Sequence, residues 1–224
     1  MTTPDTPGAH WHPSPNTGPR RNGLRPELVV LHFTQMPDAQ SALERLCSPD
    51  AQVSAHYLIG TDGTLWQMVP ETERAWHAGA GSWRGQDDIN SRSIGIELDN
   101  DGASPFAAAQ MLALERLLPG ILARWSIPPA GVIAHSDMAP GRKSDPGPRF
   151  DWRRLARLGL SIWPEPDGMP DVSLDASLTR IGYPQVEAAP RRAAFRLRFR
   201  PGHHGPEDAT DRILASAVLK MLEK

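Results

Sequence analysis

The chain has 224 residues with 24 Lys and Arg against 26 Asp and Glu, a formal net charge of -2, so no global basic field draws nucleic acid or acidic membranes to it. A hydrophobic share of 39% is enough for a core, while 19 Gly and 23 Pro point to a loop-rich globular fold rather than a low-complexity chain. The single cysteine, Cys47, excludes an intramolecular disulfide and any zinc site built from several thiolates, leaving histidine and carboxylate as the available metal ligands.

No stretch approaches the roughly 18 apolar residues of a membrane span, and residues 1–24 lack the apolar centre of a secretory signal. The sequence is therefore read as cytoplasmic, with export to the periplasm by an unrecognised route as the alternative. Residues 1–24 are polar and Pro-rich without a period of either kind, and are expected to form an extended surface arm. Leu28-Val29-Val30-Leu31-His32-Phe33 is a short apolar, β-branched run that predicts a buried strand ending near His32. Ala39, Ala42, Leu43 and Leu46 recur at helical spacing, with Cys47 as packing at the end of that face. Val53 to Ile59 and Thr64 to Val69 flank an Asp62-Gly63 pair, the signal of an antiparallel hairpin.

Ser93 to Leu98 predicts another strand with Glu97 near its end. Pro105 to Trp125 predicts a long helix that Pro119 kinks or splits. Val132-Ile133-Ala134-His135 is a last strand stopping at a histidine, followed by a loop from Ser136 to Pro148 and a helix from about Asp151. Beyond a Pro- and Gly-rich linker, three short apolar stripes end at Gly182, Phe199 and Leu222. The expected architecture is α/β, a mixed central sheet flanked by helices, plus a small C-terminal three-helix unit too small to stand alone. The divisions are a 1–24 arm, a 25–162 main domain, a 163–171 linker and a 172–224 helical domain.

Four of the eight histidines, His10, His12, His203 and His204, lie in irregular polar segments and are read as solvated. His32 and His135 each close an apolar strand, where a rigid element can hold an imidazole open to a ligand, and the loop carrying Asp145 can fold back beside His135. Two imidazoles and a carboxylate are a three-ligand set for catalytic zinc, with a fourth position for water. On residue types alone, two hydrogen-bonded core histidines and a capping aspartate are the other reading.

Five blocks occur in order: Val-Val-Leu-His32-Phe-Thr34, Val53-Ser-Ala-His56-Tyr, Ala75-Trp76-His77-Ala-Gly79, Ser93-Ile-Gly-Ile-Glu97-Leu, and His135-Ser-Asp-Met-Ala-Pro-Gly-Arg142-Lys143-Ser-Asp145-Pro-Gly. Together they resemble the N-acetylmuramoyl-L-alanine amidase type 2 family, on its AmpD/AmiD side and related to peptidoglycan recognition proteins, over about residues 24–160. The tail, with Ile-Gly-Tyr183-Pro and Ala-Phe195-Arg-Leu-Arg-Phe199, is more loosely similar to the helical peptidoglycan-binding domain of AmiD-like enzymes.

The resemblance implies that His32, His135 and Asp145 bind Zn²⁺, that Glu97 is the catalytic carboxylate and that Lys143 steadies the transition state. The implied reaction is hydrolysis of the amide between N-acetylmuramic acid, or its 1,6-anhydro form, and the L-alanine of the stem peptide, with peptidoglycan or muropeptide as the partner. The resemblance places His77 near substrate; on residue type, Trp76, Trp66 and Trp83 are candidates for stacking on sugar rings against the commoner reading of core or rim packing, and Arg142 is a candidate partner for a stem-peptide carboxylate against that of a hydrated loop arginine. His77, like His56, is equally open to a packed or ligand-supporting role. The alternative function is a module of the same fold that binds peptidoglycan without cutting it.

Overall fold

A computed structural model describes residues 3–166 and 172–223. In chain order the elements are β1 (His10–Trp11), β2 (Thr17–Gly18), β3 (Leu28–Phe33), α1 (Ala39–Leu46), β4 (Tyr57–Ile59), β5 (Leu65–Gln67), β6 (Arg74–Ala75) and α2 (Ile89–Arg92). They continue with β7 (Ser93–Leu98), α3 (Ala108–Trp125), β8 (Val132–Ala134), α4 (His135–Met138), α5 (Trp152–Arg157), α6 (Leu174–Ile181), α7 (Ala188–Phe199) and α8 (Ala209–Leu222).

The apolar run of β3 lies second from one edge of a six-stranded mixed sheet of order β1-β5-β4-β7-β3-β8, where both of its faces are covered. Side chains alternate along a strand. Val29 and Leu31 point to the face packed by α3 and α5, together with Ile94, Ile96 and Leu98 of β7. Leu28 and Val30 point to the opposite face, where α6, α7 and α8 pack in one cluster with Ile133 and Met138. At the other end of that second face, α1 covers Leu58 of β4. His32 and Glu97 share the second face because β3 and β7 are parallel in register, with His32 opposite Glu97.

The expected hairpin forms as β4 and β5, antiparallel, and Gly63 occupies the positive φ (86°) that the turn demands. One expectation is narrowed and one corrected. Of the kink or split expected at Pro119, the split does not occur: α3 runs unbroken from Ala108 to Trp125, because Met111, Leu114, Leu117, Leu118 and Ile121 stay buried on the sheet across the lost backbone bond. The last strand stops at Ala134, and His135 opens a single helical turn whose start is capped by Asp137 Oδ2 accepting from Ala134 N–H at 2.9 Å.

The N-terminal segment is not a peripheral arm. Residues 10–11 add a parallel strand beside β5, and 17–18 pair with β6. Arg20 threads inward and donates to the carbonyls of Glu71, Asn90, Ser91 and Ser93 at 2.8–3.3 Å. These are single polar anchors, which leave no periodic trace in a sequence. Of the expected 163–171 linker, residues 167–171 lie outside the described residues, as do Met1, Thr2 and Lys224.

The tail helices are tied to the sheet by charge as well as by apolar contact. Asp137, fully buried, accepts from Tyr183 Oη at 2.6 Å and from Arg198 Nη1 at 2.7 Å; Arg198 Nη2 donates to Val132 O at 2.8 Å, and the guanidinium lies 4.5 Å from the Trp152 ring centroid. Removing one partner of a buried pair leaves an uncompensated charge, so Arg198→Met is expected to cost about 3–5 kcal/mol of unfolding free energy. Denaturant midpoints measure this. The double variant Arg198→Met/Asp137→Asn should recover part of the loss, and no loss in the single variant would show that the pair carries no stability.

Candidate active site and metal centre

Three chain segments bring the strand-end histidines and the loop aspartate together. His32 leaves β3 and His135 follows the adjacent β8, so strand pairing sets the two rings side by side, with centroids 4.4 Å apart. The loop after α4 returns Asp145, whose backbone carbonyl accepts from Ser136 N–H at 3.0 Å. His32 Nδ1, His135 Nδ1 and Asp145 Oδ2 form a triangle with every side 2.9 Å. All three residues are buried. They are the group of His, Cys, Asp or Glu side chains, among the described residues, whose ligand atoms converge closely enough to share one ion.

The chemistry of this donor set fits a divalent cation. His135 Nε2 lies 2.9 Å from Ala78 O, and a carbonyl only accepts, so the proton of the neutral ring is on Nε2 and the Nδ1 lone pair faces a carboxylate oxygen. Acceptors so placed repel one another, and a cation held between them would relieve that repulsion. Zinc bonds of about 2.0–2.2 Å would space tetrahedral ligands about 3.3 Å apart, close to the spacing present. Burial, reinforced by the neighbouring His135, pushes the His32 imidazole down to about 4, which favours the neutral form a metal requires.

Glu97 lies beside His32 in register. Its Oε2 is enclosed and has no protein partner. Burial, and then the charge of Asp145, hold its carboxyl well above the ordinary carboxylate range. Lys143 is exposed on the Asp145 loop, and its charge opposes that rise. Both line a cleft of about 360 Å³ with Thr34, Arg45, Trp76 and the histidine pair, a size suited to a small-molecule moiety. An adjoining recess adds Arg21 and Arg74 to the same cationic border. Arg45, Arg21 and Arg74 were not singled out from the sequence, since nothing local distinguishes them from solvated arginines.

The remaining expectations sort as follows. Trp76 is half-buried on the cleft wall. His77, expected to contact substrate, is turned inward: its Nδ1 meets His32 Nε2 at 3.0 Å and its Nε2 meets Ser93 Oγ at 3.1 Å. Arg142 Nη2 is committed to the carbonyls of Ala78, at 2.7 Å, and Ala80, so that hand of the guanidinium braces the loop rather than facing a ligand. His56 accepts from Gly95 N–H at 3.0 Å through Nδ1 and touches Glu73 O through Nε2, which makes it a strut between strands. Trp83 is corrected from a surface stacking candidate to a core residue, packed edge-on against Tyr183 with ring centroids 5.1 Å apart. Trp66 is partly buried against the cluster under α1.

A half-buried carboxylate beside a two-histidine, one-aspartate centre on a mixed sheet is the layout of a metal-dependent hydrolase. The family model for N-acetylmuramoyl-L-alanine amidase matches residues 22–148, more than half of the chain, and the chain belongs to that family of amide-hydrolysing enzymes. It is 38% identical to the N-acetylmuramoyl-L-alanine amidase AmiD of Escherichia coli K12, over 88% of this chain and 83% of the relative. The structure of AmiD from E. coli in complex with anhydro-N-acetylmuramic acid-L-Ala-D-gamma-Glu-L-Lys superposes with a TM-score of 0.80 at 36% identity, covering 90% and 91% of the two chains. AmpDh3 from Pseudomonas aeruginosa, in complex with anhydromuramic pentapeptide, gives a TM-score of 0.81 at 29% identity over 92% and 95%. The 1,6-anhydro-N-acetylmuramyl-L-alanine amidase AmpD of Enterobacter cloacae is 35% identical over 64% of this chain and 86% of its own. No described helix is long and apolar enough to cross a membrane.

Asp145→Ala removes the anionic corner of the triangle. Metal analysis should find one zinc per wild-type chain and a variant that retains little after dialysis; equal zinc in both would place the ion elsewhere.

Proposed function

We propose that the chain is a zinc-dependent amidase that cleaves the bond between N-acetylmuramic acid, anhydro or within glycan, and the L-alanine of the stem peptide, in peptidoglycan turnover or recycling. The observation that carries this is the buried His32/His135/Asp145 triangle with the unpartnered Glu97 Oε2 beside it. The muropeptides named in the AmiD and AmpDh3 complexes give the substrate class. When bound in the triangle, the ion supplies Lewis acidity, making water a competent nucleophile near neutral pH and polarising the carbonyl.

The rest of the chemistry belongs to side chains of this chain. Glu97 accepts a proton from the attacking water and delivers it to the departing alanine nitrogen; a desolvated carboxyl with a raised pKa is suited to both transfers. Lys143 presents its ammonium to the carbonyl oxygen as negative charge develops there. The half-buried Trp76 offers a face for the sugar or the lactyl group. Arg142, through the part of its guanidinium not bonded to Ala78 and Ala80, joins Arg45, Arg21 and Arg74 in a cationic border for stem-peptide carboxylates. A module that only bound peptidoglycan would have no need of an enclosed carboxylate opposite His32.

Glu97→Gln keeps size and removes the base. Turnover of anhydro-muropeptide is expected to fall by about 10²–10⁴-fold with zinc content unchanged. Mass spectrometry of the wild-type products should show free stem peptide and intact sugar, and stripping with a chelator should abolish the reaction until Zn²⁺ is restored. Full turnover by the Gln variant would assign the base elsewhere, and products cut within the peptide would reject the proposed bond.

A further inference from the structure

The outward nitrogen of His32 is bonded to another imidazole, and that bond heads a chain of three. His32 Nε2 lies 3.0 Å from His77 Nδ1, His77 Nε2 lies 3.1 Å from Ser93 Oγ, and Ser93 Oγ lies 2.6 Å from Ile89 O. Chemistry fixes the direction of the last link, because a backbone carbonyl accepts and never donates. Ser93 therefore gives its one hydroxyl proton to Ile89 and accepts from His77. A neutral imidazole carries one N–H, so His77 has it on Nε2 and turns the Nδ1 lone pair to His32. His32 must then be protonated on Nε2, which leaves its Nδ1 lone pair aimed at the triangle.

We propose that Ser93 and His77 form a proton-ordering relay that holds His32 in the one tautomer able to ligate a cation through Nδ1. His77 is thus a positioning residue, and Ser93 the anchor of its polarity. Close packing and backbone hydrogen bonds hold the His77 segment in place. A Cβ on Gly95 would stand 2.4 Å from the His77 ring, so this strand position is glycine because the imidazole lies flat against the backbone. Asn90 Oδ1 accepts from the backbone N–H groups of His77 and Ala78 at 3.0 and 2.8 Å, pinning the segment. The next residue, Ala78, takes the Nε2 proton of His135 directly. Two consecutive residues thereby set the tautomers of both imidazoles, one through a carbonyl and the other through a relay ending on a carbonyl. Outer partners of this kind typically govern metal affinity by about 10- to 100-fold.

The inference rests on the zinc reading of the triangle, and two measurements on the full chain separate their fates. The first is zinc affinity, by competition with a chromophoric chelator. The second is the nitrogen-15 shifts of the imidazoles in metal-free protein at about pH 8, above the ordinary histidine range. Wild-type His32 is expected to be protonated on Nε2. Ser93→Ala and His77→Leu should raise the Nδ1–H population and weaken zinc binding about 10- to 100-fold. His77→Asn restores an acceptor near the Nδ1 position and should return affinity to within about threefold of wild type. Ser93→Ala deletes a single oxygen, so it keeps the test open if the leucine variant fails to fold. An Nδ1–H tautomer in wild type, unchanged affinity in Ser93→Ala, or equal affinities for the Leu and Asn variants would each overturn the relay. If wild type took up no zinc, the metal reading would fail while the nitrogen shifts still decided the relay.

Discussion

Three electron-rich atoms held 2.9 Å apart on buried residues at the floor of a cleft are the constraint on which the rest of this structure depends. Left alone, they repel one another and forgo the solvation they would have in water. The fold holds them there with strands on one side and a bonded loop on the other. Strand β3 fixes His32, its neighbour β8 fixes His135, and Ser136 ties the backbone of Asp145 to the start of α4. The same register that aligns β3 with β7 delivers Glu97 to the mouth of the pocket. His32, His135 and Glu97 are brought together by one pairing pattern.

That pattern explains what was legible in the sequence. Apolar β-branched runs ending in His32, Glu97 and His135 announce side chains at the ends of buried strands, and parallel pairing brings such ends to one edge. The Asp145 loop was readable because of its nearness in sequence to His135. His77 was not readable in the same way: a histidine between Trp76 and Ala78 has the same letters whether it faces substrate or backs a ligand, and only the three-dimensional chain to Ser93 and Ile89 distinguishes the two. A possible cue was Gly95, a glycine inside a strand, which often marks close approach of another group.

The anchoring of the N-terminal segment is illegible in the sequence for a related reason. Ser14, Asn16 and Arg20 enter the protein one at a time, each meeting backbone carbonyls, and isolated polar anchors carry neither helical nor strand periodicity. Burial lowers the Arg20 guanidinium to about 10, a measure of how far the segment has been drawn in. Its terminal group touches His56, so this stretch reaches the imidazole that accepts from the β7 backbone at Gly95.

The family match ends at residue 148, yet the hydrophobic layer continues through α8. Leu28, Val30 and Ile133, which lie a few residues from His32 and His135, share one cluster with Leu178, Phe195, Leu214 and Val218 of the tail. A chain cut back to its matched segment would bare an oily strip on the same sheet face as His32 and Glu97 and strip Asp137 of its Tyr183 and Arg198 partners, inviting self-association. The AmpD relative aligns with about two-thirds of this chain, so the match to it does not extend over the whole layer. Grafting the tail between members of the family is therefore a problem of matching surfaces as much as of joining ends.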